Sequence, residues 1–356
     1  MSGEWPWIQC PSEVTQQLSE VWIGPVRLGP QATFVRRHRR AVTALVVAIS
    51  VLSCVGLSAI AGWHAVRVRL DHLSWWFIPL TLIAHLVAYV GYLIAHHGVV
   101  NRSRSVPVGW GRGALMVVIG FGAWLTGGGF AVDRHGLEWT GFDPIDADIV
   151  AVVLSALELA LLTPAAWLCA LLLVGNVSVP QSATIPWVIG VPVGFALAIA
   201  GAIMGSRQTV PAQARGAGKA WRELLVGLAA ALQLLRDRRR GPLSATGIAI
   251  YWAADIAALW AALRFVSVAV PLPRLVLAYA TGYLLTRRTL PFAGVVVTEG
   301  LMAVALVWVG VPLAAAVPAV LVYRLSDFAL TLGSALGASS AVERGLIQPS
   351  ERVPGD

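Results

Sequence analysis

Arg287, Arg288, Glu299 and Arg324 fall within residues 275–332, a run otherwise apolar enough to sit in a lipid bilayer. An ionisable side chain at bilayer depth costs at least ~2.5 kcal/mol on insertion scales, so such residues mark function by default. Guanidinium groups suit one chemistry above others: their planar fork of donors pairs bidentately with phosphate, which an ammonium group matches less well. Glu299 and Arg324 carry opposite charges, and two readings stand side by side. They form an ion pair holding two segments together, or they exchange partners as a lipid headgroup passes. Arg287 and Arg288 have an alternative reading too, as headgroup-level residues ending a short span. Pro291 and Gly294 break the run between Arg288 and Glu299. Non-helical backbone at that depth survives only when packed in protein or lining a cavity. Two half-helices joined by a Pro291/Gly294 hinge are therefore expected. Helix N-termini there would offer partial positive charge and free N–H groups to an anion.

The elements that must position these residues follow from composition. Of 356 residues, 57% are hydrophobic and 12% charged, and the mean hydropathy is +0.74. Soluble domains carry about 25% charged residues, so an all-α polytopic membrane protein is expected. The net charge of +8 does not point to nucleic acid, because the bases cluster in short segments between apolar runs. Cytoplasmic loops and anionic headgroups select that pattern. Cys10, Cys54 and Cys169 show no metal or redox spacing, and no cleavable signal is apparent.

Full spans are expected over residues 41–63, 76–97, 149–174, 185–205, 243–265 and 311–332, each near the ~20 residues a crossing needs. Residues 220–235 read as an amphipathic surface helix between basic flanks. Residues 113–139 contain Gly127, Gly128 and Gly129 where a span should be strongest, and Gly costs about 1 kcal/mol per helical position. If this segment crossed, the most basic loop (207–240) would lie outside, against the positive-inside rule. A re-entrant hairpin removes the conflict. The chain then reads as a cytoplasmic tail (1–40), a first membrane repeat (41–174), a second (185–332, with the basic loop and surface helix at 206–242) and a C-terminal tail (333–356). Each repeat has two spans, a re-entrant hairpin and a third span. An odd number of crossings inverts the second repeat, a plan that puts the binding site at the repeat interface near mid-depth. Both termini are expected in the cytoplasm.

Residues 289–327, TLPFAGVVVTEGLMAVALVWVGVPLAAAVPAVLVYRLSD, resemble the C-terminal signature of the lysylphosphatidylglycerol synthase transmembrane family. That family includes the flippase half of the multiple-peptide-resistance proteins. Its hinge corresponds to Pro291 through Gly294, its acid to Glu299, its turn to Gly310-Val311-Pro312 and its Tyr-Arg pair to Tyr323 and Arg324. Phe292 and Ala293 stand where the family usually has glycines. The family's N-terminal motif is matched by Gly127 to Gly129, Arg134, Gly141 and Glu158. The resemblance implies a lipid-translocating membrane half in which Arg134, Glu158, Glu299, Tyr323 and Arg324 meet the substrate, and the phosphate-pairing chemistry of guanidinium groups adds Arg287 and Arg288 to that expected site. It also implies Gly127, Gly128, Gly129, Pro291 and Gly294 as hinges. The family's soluble synthase domain has no counterpart here, so lipid aminoacylation is not expected from this chain.

No nucleophile elbow, P-loop, dinucleotide fingerprint or paired Asp-rich motif is present. No enzymatic activity, cofactor or metal is expected. His85, His96 and His97 lack the surrounding ligands of a metal site. Asp255 and Asp327 read as structural or interfacial, and Asp133 and His135 as solvated neighbours of Arg134. The leading expectation is a flippase or scramblase for an anionic or aminoacylated phospholipid, or a lipid-linked saccharide. A second is a non-transporting membrane partner that positions a separate synthase or glycosyltransferase through the basic loop. A small-solute transporter is a third. Expected partners are a phospholipid or polyprenyl-phosphate lipid, such an enzyme, and a second copy of the chain.

Overall fold

The computed structural model describes residues 39–103, 108–121, 130, 133–138, 142–208, 210, 216–289 and 294–343. All regular secondary structure among them is helical. In chain order the helices are α1 (Arg39–Ala61), α2 (Trp63–Leu70), α3 (Phe77–Ser103), α4 (Trp110–Phe121), α5 (Pro144–Leu173), α6 (Gln181–Gly205), α7 (Gly216–Arg236), α8 (Gly241–Phe265), α9 (Leu272–Thr289), α10 (Val297–Trp308) and α11 (Leu313–Glu343). A short helix also covers residues 133–138. Six of these helices, α1, α3, α5, α6, α8 and α11, are long and apolar enough to cross a membrane. They are the six spans expected from the sequence, with shifted ends. α5 begins at Pro144 because Asp143 accepts from the Ile145 N–H as its N-cap and proline fits the first turn. α11 runs to Glu343, eleven residues past the expected boundary, because nothing in 333–343 breaks a helix as proline would.

Contacts between helix ends fix which loops lie together. At one end, Ser74 N–H donates to Phe265 O and Ser267 Oγ to His72 O. Arg274 reaches Val309 O and Ser178 Oγ. The α2–α3, α5–α6, α8–α9 and α10–α11 connections therefore share this end. At the other end Gly98 approaches Ser244, Gly205 approaches Leu225, and Lys219 pairs with Asp148. That end holds the exposed bases Arg236, Arg238, Arg239 and Arg240.

The two interrupted segments are hairpins entering from opposite ends. α9 starts and α10 finishes at the end away from the bases, joined there by Arg274. Their limbs touch backbone to backbone: a Cβ at Gly282 would lie 2.6 Å from Met302 Cα. α4 starts at the basic end, where Asn101 bonds Val108. The helix over 133–138 returns there, its Arg134 paired with Asp148. Gly136 packs directly on the main chain of Met116. The hairpin tips, with Gly127 to Gly129 and Pro291, lie outside the described residues.

The packing is paired across the two halves. α3 and α8, the second span of each half, lie against one another. A Cβ at Gly91 would meet Tyr251 N at 2.6 Å and Gly247 O at 2.8 Å. Small residues that let backbones approach are the main device for joining helices in lipid. α9 packs on α5, and α4 packs correspondingly on α11. In α6, Pro192 has no N–H for the carbonyl of Val188, and the indole Nε1–H of Trp167 supplies one at 3.1 Å. α7 is amphipathic, burying Leu225, Val226, Ala229, Ala230 and Leu234 while Arg222 and Arg236 stay on its outer side, and Lys219 reaches inwards to Asp148 and to the buried Glu223.

Candidate functional site

Arg324 is fully buried. It sits eleven residues into α11, about 16 Å from the end away from the bases, halfway through a ~30 Å hydrocarbon core. Its Nε donates to Glu299 Oε1 at 3.1 Å and its Nη1 to Asp327 Oδ2 at 3.2 Å. The guanidinium carbon stands 4.5 Å from the centroid of the Phe328 ring. Ser50 of α1 also donates to Glu299 Oε1, at 2.7 Å. One turn on, Cys54 packs with Ala303 and Val317, so α1 and α10 run in the same direction with Ser50 beside Glu299 and Cys54 beside Ala303. Among the described residues, no hydrogen-bond partner meets the buried Glu299 Oε2.

Tyr323, the neighbour of Arg324, turns to a second group. Its hydroxyl donates to Asp255 Oδ2 at 3.0 Å, and the Tyr279 hydroxyl donates to the same oxygen. His85 Nδ1 is 3.0 Å from Asp255 Oδ1, and its Nε2 is 3.2 Å from Tyr323 O. Both ring nitrogens thus face acceptors, an arrangement that a doubly protonated imidazole satisfies in full. Asp255 lies ten residues from the end of α8, about 15 Å by helix rise, so both groups share one depth. Buried charges are kept in pairs because an unpaired one carries a large desolvation cost.

Structure and expectation differ at several residues. Glu299, Tyr323 and Arg324 lie close together and all three are fully buried, where the sequence reading placed them on a cavity. Arg134 is not at mid-depth. Its side chain is 45% exposed and pairs with Glu138 at 2.7 Å and Asp148 at 3.2 Å. A guanidinium at the rim finds carboxylates there without leaving water. Asp133, read as solvated, is buried and accepts from the Tyr92 hydroxyl. Glu158 is buried between α5 and α8, where Trp252 Nε1 donates to its main-chain carbonyl at 3.0 Å. α9 continues through Arg287 and Arg288, whose side chains lie outside the described residues. Gly294 is buried with φ +65°, a left-handed conformation that suits a hinge glycine.

Ser50, His85, Tyr279, Asp255 and Asp327 belong to the cluster although sequence reasoning did not select them. For His85 and Asp255 the signal was available. Each is a polar side chain inside an apolar span with no local partner, and each is the other's partner. Tyr279 and Ser50 carry no comparable signal, since both residue types are ordinary in membrane helices. Among the described residues no group of three or more His, Cys, Asp or Glu could hold a metal ion.

No protein-family model matches this chain, and no curated protein matches it by sequence.

Proposed function

We propose that this integral membrane protein moves the polar headgroup of a lipid past the buried Glu299–Arg324 centre while the tails stay in the bilayer. The substrate class is an anionic or aminoacylated phospholipid, or a lipid-linked saccharide, whose phosphate takes the place of a carboxylate on Arg324. The carrying observation is the placement of Arg324 at mid-depth, held by Glu299 from a hairpin limb and Asp327 from its own helix. A guanidinium shared between two carboxylates can release one and accept a phosphate with the same donor fork. The opposed hairpins support this reading, because each offers a way to open the centre to one side only. Gly294 and Val296, both with positive φ, give the α9–α10 hairpin a bend next to Glu299. The similarity of residues 289–327 to the lysylphosphatidylglycerol synthase transmembrane signature agrees with the same substrate class.

The test is transbilayer movement of fluorescent phospholipids in vesicles containing the purified protein. Movement well above protein-free vesicles is expected, with loss in Arg324→Ala and Glu299→Ala that are still folded by circular dichroism. Wild type no faster than either variant would overturn the proposal. The exposed bases Arg238, Arg239 and Arg240 favour the second reading, a docking surface for a separate lipid-modifying enzyme. Copurification of such an enzyme, lost on charge reversal of those residues, would select it.

A further inference from the structure

A slot of about 410 Å³ lies between α5, α6 and α7, away from the charged centre. Its lining runs along α6 from Trp187 to Ala202, about 22 Å at 1.5 Å per residue. The slot is therefore elongated along the helix, with almost entirely apolar walls. Its length and apolar lining suit a hydrocarbon chain lying along the helix.

The slot's chemistry is consistent with such an occupant. The floor is Gly190, Gly194 and Ala198 of α6, and a Cβ at either glycine would meet nothing within 4 Å. The hydroxyl of Thr163 is turned away onto Leu159 O, and Trp167 has already capped the carbonyl that Pro192 frees. The polar groups along the wall are therefore satisfied without a ligand. Toward the basic end the slot reaches Leu235 of α7. Arg236 follows at once, then Arg238, Arg239 and Arg240, all exposed. Basic residues at that level attract anionic headgroups.

We infer that this slot holds one acyl chain of an anionic glycerophospholipid from the leaflet on the basic side, its phosphate at the Arg236–Arg240 segment. The site is separate from the Glu299–Arg324 centre, and it stands whether or not the protein translocates lipid. It would anchor α7, which packs on both α5 and α6, to the leaflet that the basic loop faces.

The test is native mass spectrometry of the full chain extracted from vesicles of phosphatidylglycerol, phosphatidylcholine and a polyprenyl phosphate in equal amounts. One retained phosphatidylglycerol per chain is expected. Gly194→Leu, which fills the slot, should lower retention at least tenfold. Replacing Arg236, Arg238, Arg239 and Arg240 by Gln should abolish the preference for phosphatidylglycerol over phosphatidylcholine. Arg324→Ala should leave retention unchanged while abolishing translocation, which separates this inference from the proposed activity. Should Gly194→Leu fail to fold, bromine-labelled acyl chains on the wild type decide instead: they should quench fluorescence that is lost in Trp187→Phe. Retention unaffected by Gly194→Leu, equal retention of phosphatidylcholine, preference for the polyprenyl phosphate, or no quenching of Trp187 would each overturn it.

Discussion

Arg324 and Glu299 form an ion pair at 3.1 Å with neither side chain exposed, although they come from different helices and lie 25 residues apart in the chain. Removing one partner of a buried pair leaves an uncompensated charge, at about 3–5 kcal/mol. Arg324→Met is expected to lower stability by that order in detergent-solubilised protein. In a Glu299→Gln background the same change should cost less, by about 0.5–3 kcal/mol. Thermal unfolding of the four proteins measures the coupling. Strict additivity would mean that the two side chains do not act on each other.

The α3–α8 contact is expected to tolerate almost no added volume. Gly91→Leu would drive a side chain into Tyr251 N and Gly247 O, and overpacking of this kind costs about 1–3 kcal/mol or more. Loss of monodisperse protein on gel filtration is the expected readout. Gly56, where an added Cβ would meet nothing within 4 Å, is the control, and Gly56→Ala should behave as wild type. Equal tolerance of both changes would show that α3 and α8 do not touch there.

Val296 caps the start of α10 with φ +71° and ψ −52°, a conformation that a β-branched residue adopts only under strain. It is half-exposed and so contributes little packing. Residues in such regions carry about 1–3 kcal/mol of strain. Val296→Gly should therefore raise the unfolding temperature, and a fall of several degrees would contradict the geometry.

Trp167→Phe keeps an aromatic ring between α5 and α6 but removes the donor that Val188 O uses in place of the N–H missing at Pro192. An unsatisfied main-chain carbonyl costs about 1–3 kcal/mol. Restoring a donor by Pro192→Ala in the same protein should recover most of the loss. If Pro192→Ala brings no recovery, the indole does not act on that carbonyl.

Much of the architecture was legible because lipid leaves few options. Apolar length alone located the six spans, and the placement of Arg207 to Arg240 against the glycines at 127–129 was enough to argue that residues 113–139 return to the side they came from. Glu299 and Arg324 stood out because charge inside an apolar run demands a partner. Depth was harder. Arg134 follows a glycine-rich break much as Glu299 follows Gly294, yet it pairs with Glu138 and Asp148 at the rim. The distance of a residue from its hairpin tip is set by limb length, which motif spacing does not give. The His85–Asp255–Tyr279–Tyr323 group depends on which faces of α3, α8, α9 and α11 turn inwards. Those helices are apolar on most sides, so periodicity does not mark their inner faces. The slot beside α6 was invisible for a related reason: glycine and alanine in a span read as packing residues, and only the neighbouring helices show that these ones face a gap.

The most direct measurement is one-sided cysteine labelling at the base of each hairpin limb, in protein whose native cysteines are replaced by serine. Gly109→Cys and Asp146→Cys, flanking α4 and the helix over 133–138, should react from the same side as Arg239→Cys. Leu272→Cys and Pro312→Cys, flanking α9 and α10, should react only from the side that labels Ser178→Cys. Opposed hairpins require both results. If the two members of either pair react from opposite sides, that segment crosses the membrane, and the buried centre between opposed hairpins does not exist.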